Sequence, residues 1–189
     1  MDDRLLIQRI KDGDISAVSQ MVNNHRNLIW HIIISMTGRN SDNEDLFQEV
    51  FLRVFKGIRK FREEAKLSTW IGSIAHHVCV DYLRKKKLNS IYTDIENDFK
   101  AVQNIKSEFA TNEHEDLNKL LLSAIEKLPP AFRTVITLFH LDDHSYRDIS
   151  IITGMPEGTV KSYISRGRDS LRQILTQAVP DIAEIMNQF

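Results

Sequence analysis

From Asp14 onward the apolar residues Ala17, Val18, Met21, Val22, Leu28, Ile29, Ile32, Ile33 and Met36 recur at three- and four-residue steps. That period predicts a long helix buried along one broad stripe, with Asp14 as its cap and Gly38-Arg39-Asn40 as its stop. Ser41 with Glu44 three residues on reads as a capping box for a second helix, whose stripe is Leu46, Val50, Phe51, Val54, Phe55 and Ile58. A charged connection, Lys60 to Leu67, leads to Ser68, the expected cap of a third helix running to about Lys87. Its inward positions are Trp70, Ile71, Ile74, Ala75, Val78 and Leu83. Further on, Leu117, Leu120, Leu121, Ala124, Ile125 and Leu128 predict a helix that stops at Pro129-Pro130. Phe132, Val135, Ile136 and Phe139 predict the next. Ser145 and Asp148 form a second capping box, opening a short helix over Tyr146–Thr153. The last helix, to about Leu175, turns Val160, Ile164 and Leu171 inward. The fold expected is all-α.

Composition narrows the class. The chain has 189 residues, 42% apolar and 27% charged, with 7 Gly, 4 Pro and 1 Cys. One cysteine excludes a disulfide framework or a multi-Cys zinc site and fits a reducing compartment. No apolar run reaches the ~18 residues of a membrane span, and Met1-Asp2-Asp3-Arg4 lacks the order of a signal peptide. A cytoplasmic protein without direct membrane insertion is expected. The net charge of −1 hides an asymmetry: residues 1–93 carry 15 Lys/Arg and 11 Asp/Glu, residues 94–116 carry 2 and 7, and residues 117–189 carry 8 of each. An acidic stretch poor in large apolar residues thus separates two units, and it reads either as a solvated linker or as an acidic helix lying on one of them.

The outward faces carry the candidate chemistry. The second helix opens acidic (Asp42, Glu44, Asp45, Glu49) and closes basic (Arg53, Lys56, Arg59). That order suits the helix dipole of a solvated helix, and it also suits docking on a basic partner. The third helix ends in Arg84-Lys85-Lys86-Lys87, which can complement its own dipole or meet phosphates. In the last pair of helices, buried Ile149, small Ser150, Gly154 at the turn, Pro156 in the next first turn and Val160 as lock make a helix-turn-helix. Its outward side presents Glu157, Thr159, Lys161, Ser162, Arg166 and Arg168, with donors for phosphates and base edges. His140 and His144 are four apart, but no acidic or Cys partner matches them, so no metal site is assigned. His76 and His77 are adjacent and point apart. Cys79 reads as a small packing residue, Trp70 as core on one side, and Met155 as turn packing. No nucleophile–base pair, phosphate loop or carboxylate pair stands out, so neither enzyme chemistry nor a cofactor is expected.

Taken together these motifs resemble a known family. Asp42-Asn43-Glu44-Asp45-Leu46-Phe47-Gln48-Glu49-Val50-Phe51, Phe61 to Trp70, and Ile74-Ala75 to Asp81 and Arg84 look like domain 2 of the sigma-70 family of transcription initiation factors. Leu128-Pro129-Pro130-Ala131-Phe132-Arg133 and Gly158-Thr159-Val160-Lys161-Ser162 look like domain 4. With only these two domains, over roughly residues 11–175, the chain is similar to the extracytoplasmic-function (group IV) sigma factors. The resemblance implies domain 2 over 1–92, a linker over 93–116, domain 4 over 117–175 and a tail over 176–189. It implies docking on the β′ clamp helices of core RNA polymerase by Asp42, Glu44, Asp45, Gln48 and Glu49. It also implies −10 recognition and base capture by Phe61, Arg62, Lys66, Ser68, Thr69, Trp70, Ser73, His77, Asp81 and Arg84. Reading of the −35 element would fall to Glu157, Thr159, Lys161, Ser162, Arg166 and Arg168, while the region around Phe132 leans on the β flap. An anti-sigma factor is an implied partner beside polymerase and promoter DNA, and the linker acids could mimic nucleic acid in a basic channel. The sequence departs from the family pattern at Tyr163, Ser165 and Gly167. Two rivals remain at this point: a helix-turn-helix regulator acting without polymerase, and a helical protein that sequesters a partner without touching DNA.

Overall fold

In a computed structural model of the chain, residues 3–93 and 113–178 are described, the side chains of 88–93 and 113–118 excepted. The expected acidic linker and the tail beyond 178 lie outside them. The described elements are all helical: α1 (Asp3–Lys11), α2 (Ile15–Thr37), α3 (Asn43–Gly57), a 3-10 turn (Ile58–Lys60), α4 (Leu67–Thr93), α5 (Glu113–Glu126), α6 (Pro130–His140), α7 (Tyr146–Thr153) and α8 (Glu157–Ala178).

Asp14 starts α2 as expected, accepting the amide N–H of Ser16 at 2.8 Å and of Ala17 at 3.2 Å. The start of α3 differs from expectation. Ser41 makes no capping box; its hydroxyl bonds Asp42 instead. The turn is built by asparagines: Asn40 Oδ1 accepts the Asp42 amide, and Asn43 donates to the Gly38 carbonyl while accepting from Thr37. Asn and Asp side chains mimic backbone in this way, and they displaced the Ser-Glu pairing. The sequence reading also passed over α1, whose Leu6, Ile7 and Ile10 are buried. At nine residues it is short for a periodic signal, and it is held by packing rather than by propensity.

The first unit, α1 to α4, closes around Met21, Ile29, Ile32 and Ile33 of α2, Val50 and Val54 of α3, and Leu67, Ile71, Ala75 and Val78 of α4. Each of these side chains larger than Ala75 contributes roughly 1.5–3 kcal/mol by leaving water. Trp30, Phe47, Phe51 and Phe55 run as a ladder of rings 5.0 to 6.0 Å apart along the seam of α2 and α3. In the second unit, Val135, Ile136 and Leu138 of α6 meet Ile149 and Ile152 of α7 and Val160 and Ile164 of α8. Gly167 lets α8 approach α6, since a Cβ there would stand 2.8 Å from Ile136 Cγ1. Its departure from the family pattern is thereby explained, and so is that of Tyr163, whose ring packs edge-on against Phe132 at 5.2 Å.

The two units are not held apart. α6 lies along α2 and α7 lies on α4, so their buried side chains form one continuous cluster. Polar contacts cross the boundary as well: His31 Nδ1 to Asp142 at 2.8 Å, Ser35 Oγ to Thr134 Oγ1 at 3.2 Å, and Arg39 to Glu126 at 3.0 Å.

Candidate nucleic-acid interface

The helix-turn-helix is built as its residues require. Ser145 Oγ accepts the Asp148 amide at 3.1 Å, and the Asp148 carboxylate accepts the Ser145 amide at 3.3 Å, a reciprocal capping box. Gly154 ends α7 at φ +72°, a conformation open to glycine, and Ser150 Oγ donates to the Met155 carbonyl at 2.6 Å to pin the turn. The Pro156 carbonyl then accepts the Thr159 and Val160 amides, so Pro156 precedes α8 rather than standing in its first turn. Val160 is fully buried and fixes α8 on α7.

Of the six outward candidates on α8, Glu157, Lys161, Arg166 and Arg168 are exposed and Thr159 and Ser162 are partly so. They do not form one face. Thr159, Ser162 and Arg166 follow three- and four-residue steps along one ridge, while Lys161 and Arg168, seven apart, follow another. On that second ridge the cations lean on aromatic rings. Phe139 and Tyr146 stack at 5.1 Å with an interplanar angle of 7°, Lys161 Nζ lies 5.6 Å from the Tyr146 ring, and the Arg168 guanidinium lies 5.4 Å from Phe139. Arg168 Nε also donates to His140 Nε2 at 3.1 Å. His140 therefore belongs to this ridge, and His144 is buried at the boundary between the units.

On the first unit, Glu44, Asp45 and Gln48 stand exposed on α3. Asp42 accepts the Tyr82 hydroxyl at 2.7 Å. Glu49 belongs to a chain of ion pairs: Arg53 bridges Glu49 at 2.7 Å and Asp81 at 3.1 Å, and Asp81 also pairs Arg84 at 3.1 Å. The Arg53 guanidinium holds the Asp81 carboxyl below its ordinary range. Exposed pairs of this kind stabilise little, but they fix where side chains point. The chain joins the acidic face of α3 to two candidates of α4, a link the sequence showed only in the Glu49–Arg53 spacing.

The Phe61–Trp70 segment is more closed than expected. The two rings pack together at 4.9 Å, and the Trp70 indole covers Gly57, where a Cβ would stand 3.0 Å from its Cζ2. Arg62 and His77 are exposed, and Ser68 is half-buried. Ser73 donates to the Trp70 carbonyl and is itself followed by His77 Nδ1 on its carbonyl at 2.6 Å. Lys66 and Thr69 face the other unit: Lys66 Nζ lies 3.1 Å and Thr69 Oγ1 2.9 Å from the carboxylate of Asp148, and Thr69 is fully buried. Burial alone would push Asp148 up; the hydrogen bonds from Ser145, Thr69 and Lys66 outweigh it and hold the carboxyl at about 2.

The family model for sigma-70 region 2 matches residues 21–88, and that for sigma-70 region 4 matches residues 118–171. The chain is 33% identical over 177 residues to the ECF RNA polymerase sigma factor SigW of Bacillus subtilis, covering 89% of this chain and 94% of that one. It belongs to the extracytoplasmic-function sigma factors. A second member, the sigma-E factor of Haemophilus influenzae, is 30% identical over 181 residues, covering 90% of this chain and 94% of the relative. Among solved structures, the sigma factor RpoE of Bartonella quintana, in complex with the anti-sigma factor NepR, superposes with a TM-score of 0.65 at 23% identity over 84% of this chain and 96% of its own. CnrH, in complex with the cytosolic domain of CnrY, gives 0.63 at 19% identity over 93% and 97%. Those two likenesses bear on the fold. As a sigma factor the chain is a transcription initiation factor for RNA polymerase, with a helix-turn-helix DNA-binding domain. Among the described residues no helix is long and apolar enough to cross a membrane.

Proposed function

We propose that this sigma factor docks on the β′ clamp helices of core polymerase through Asp42, Glu44, Asp45, Gln48 and Glu49, and directs it to paired −35 and −10 elements. Domain 2 takes residues 1–92 and domain 4 residues 117–175, with 93–116 as the linker between them. In domain 4, Thr159, Ser162 and Arg166 meet the major groove, while Lys161 and Arg168 reach phosphates beside it and the Phe132 region leans on the β flap. In domain 2, Arg62, Lys66, Ser68, Thr69, Ser73, His77, Asp81 and Arg84 face the −10 region, and a base leaving the stack is received at the Phe61–Trp70 pair. Unstacking costs a few kcal/mol, which aromatic stacking offsets. The observation that carries the reading is the pair of exposed polar and cationic ridges on α8, in a helix-turn-helix whose first helix is capped at both ends. An anti-sigma factor is a further partner, supported by the structural neighbour solved in complex with the anti-sigma factor NepR.

Run-off transcription with sigma-free core polymerase and a pool of promoter fragments tests this. Protein-dependent transcripts from a small promoter subset are expected. Asp45→Arg removes them together with core binding, and Lys161→Ala weakens them while core binding persists. Absence of transcripts together with absence of core capture overturns the proposal.

A further inference from the structure

The seam of α3 and α4 ties together side chains that the proposed function keeps apart. Glu49 belongs to the docking face of α3, and Asp81 and Arg84 belong to the −10 face of α4. Arg53 joins them, donating from Nε to Glu49 at 2.7 Å and from Nη1 to Asp81 Oδ2 at 3.1 Å. The other oxygen of Asp81 accepts Arg84 Nη2 at 3.1 Å. A second bridge crosses the same seam: the Tyr82 hydroxyl donates to Asp42 at 2.7 Å, and Lys86 Nζ lies 5.7 Å from the centre of the Tyr82 ring. Both bridges lead from an acid of α3 to an exposed cation in the run Arg84 to Lys87. That run does not complement the dipole of its own helix. α4 continues to Thr93, its last turn holds no basic residue, and the dipole acts only within that turn.

We propose that Arg53 and Tyr82 are positioning residues for nucleic-acid binding: anchored on Glu49 and Asp42 of α3, they hold Arg84 and Lys86 of α4 aimed at the phosphates beside the −10 element. This role rests on the proposed −10 reading and adds the residues that aim its cations. Long cationic side chains lose rotamer freedom when they meet a phosphate, and holding them beforehand lowers that cost. Arg53 takes one oxygen of Asp81 and leaves the other turned to Arg84, and the two guanidiniums offset a carboxylate that would otherwise repel phosphate. Lysine cannot do the same, because reaching two carboxylates from separate nitrogens needs the planar fork. A carboxylate has lone pairs for more than one donor, so Glu49 and Asp42 can aim α4 and still receive a partner's cations.

Binding of the holoenzyme to a promoter fragment whose −10 strand is unpaired tests this. Arg53→Lys keeps the charge and removes the fork; it is expected to weaken fragment binding about two- to fivefold, the range of an exposed ion pair, while core capture stays as in wild type. Arg84→Ala should weaken the wild type but add little on the Arg53→Lys background, and Lys86→Ala should add little once Tyr82→Leu has removed its seat. Equal factors for Arg84→Ala on both backgrounds overturn the proposal, as does a loss of core capture that accounts for the whole effect of Arg53→Lys. Nitrogen-15 NMR of arginine side chains in the free protein gives a second readout. The Arg84 guanidinium should rotate slowly in wild type and fast in Arg53→Lys, and a signal unchanged by that substitution overturns the positioning role whether or not the fragment is bound. If the wild-type holoenzyme fails to hold the fragment, the promoter-reading proposal falls, and the NMR signal alone decides whether Arg53 orders Arg84.

Discussion

The two outward ridges of α8 and the start of α4 carry the same kind of side chain, donors suited to nucleic acid, but they stand in opposite conditions. Arg166 and Lys161 are exposed on α8, and nothing from the first unit covers them. Thr69 is buried and Lys66 is drawn onto a carboxylate from the other unit. One surface is ready to meet DNA; the other is occupied by the chain itself. The difference shows that exposure inferred from helical period holds only within a unit. Where two units pack, a polar residue on an outward face can be recruited to the contact, and its hydrogen bond then reports on the arrangement of the units.

The largest effect is expected at Asp148. Asp148→Ala removes a helix cap and leaves the buried Thr69 hydroxyl without its partner, for a loss of about 2–4 kcal/mol in urea unfolding. Double-mutant cycles divide that loss. Asp148 with Thr69→Ala should show a coupling of about 1 kcal/mol, and Asp148 with Lys66→Ala a few tenths, because Lys66 stays largely exposed. A larger coupling to Lys66 than to Thr69 would mean that charge, not the buried hydrogen bond, holds Asp148 on α4.

Next in size is a pair of glycines on α8. Gly167→Ala drives a Cβ to 2.8 Å from Ile136 and should destabilise by about 1–3 kcal/mol. Gly158→Ala meets nothing within 4 Å and should stabilise by up to about 1 kcal/mol through helix propensity alone. Equal effects in thermal unfolding would show that α8 does not sit on α6 as closely as described. Smaller again is the contrast between cations. Lys161→Ala should lower the slope of log affinity against log salt by about 1, measured with holoenzyme on a −35 fragment. Arg168→Ala should lower it less, since Arg168 is held back on His140 and Phe139.

Much of this architecture was legible in the residues. The stripes of α2, α3, α4, α6 and α8, the Asp14 cap, the Ser145–Asp148 box and the Gly154 turn all follow from local period and local hydrogen bonding, and the structure has them, except that Leu83, expected inward on α4, is exposed past the end of the packed core. The motifs also led to the family. Local rules did not show the meeting of the units. His31 and Asp142 are 111 positions apart, and no spacing rule links them. Asp148 read as a cap because that role is local; its second role depends on which helix lies above it. Tyr163 and Gly167 read as departures for the same reason, each being explained by α6 rather than by α8.

The smallest effect is expected with pH, because three histidines line the contact between the units and their contributions differ in sign. The hydrogen bond to Asp142 raises the pKa of His31 above 6.5, against the effect of burial. Its contribution to the contact is therefore complete below 6.5 and is lost as pH rises through the raised value. His76 lines a cavity of about 190 Å³ with Met36, Leu83, Pro130, Ala131, Thr134 and Met155, and burial together with the neighbouring His77 holds it down at about 4. Burial likewise lowers His144, although Asp142, Asp148 and Asp143 oppose that effect and Lys66 reinforces it. These two favour the contact while neutral, so their contribution is complete above 6.5 and falls as pH drops below it, for His76 down to about 4. The contact should then be strongest near pH 6.5 and weaken on both sides. Ser35 and Thr134 face each other across it at 3.2 Å, and rates of disulfide formation in a protein carrying Ser35→Cys and Thr134→Cys, corrected for thiolate fraction with an unfolded control, measure this directly. His31→Ala should flatten the alkaline limb alone, and His76→Leu should reduce the acid limb while sparing the alkaline one. A profile that His31→Ala leaves unchanged above pH 6.5 would show that the Asp142 pair does not help to hold the two units together.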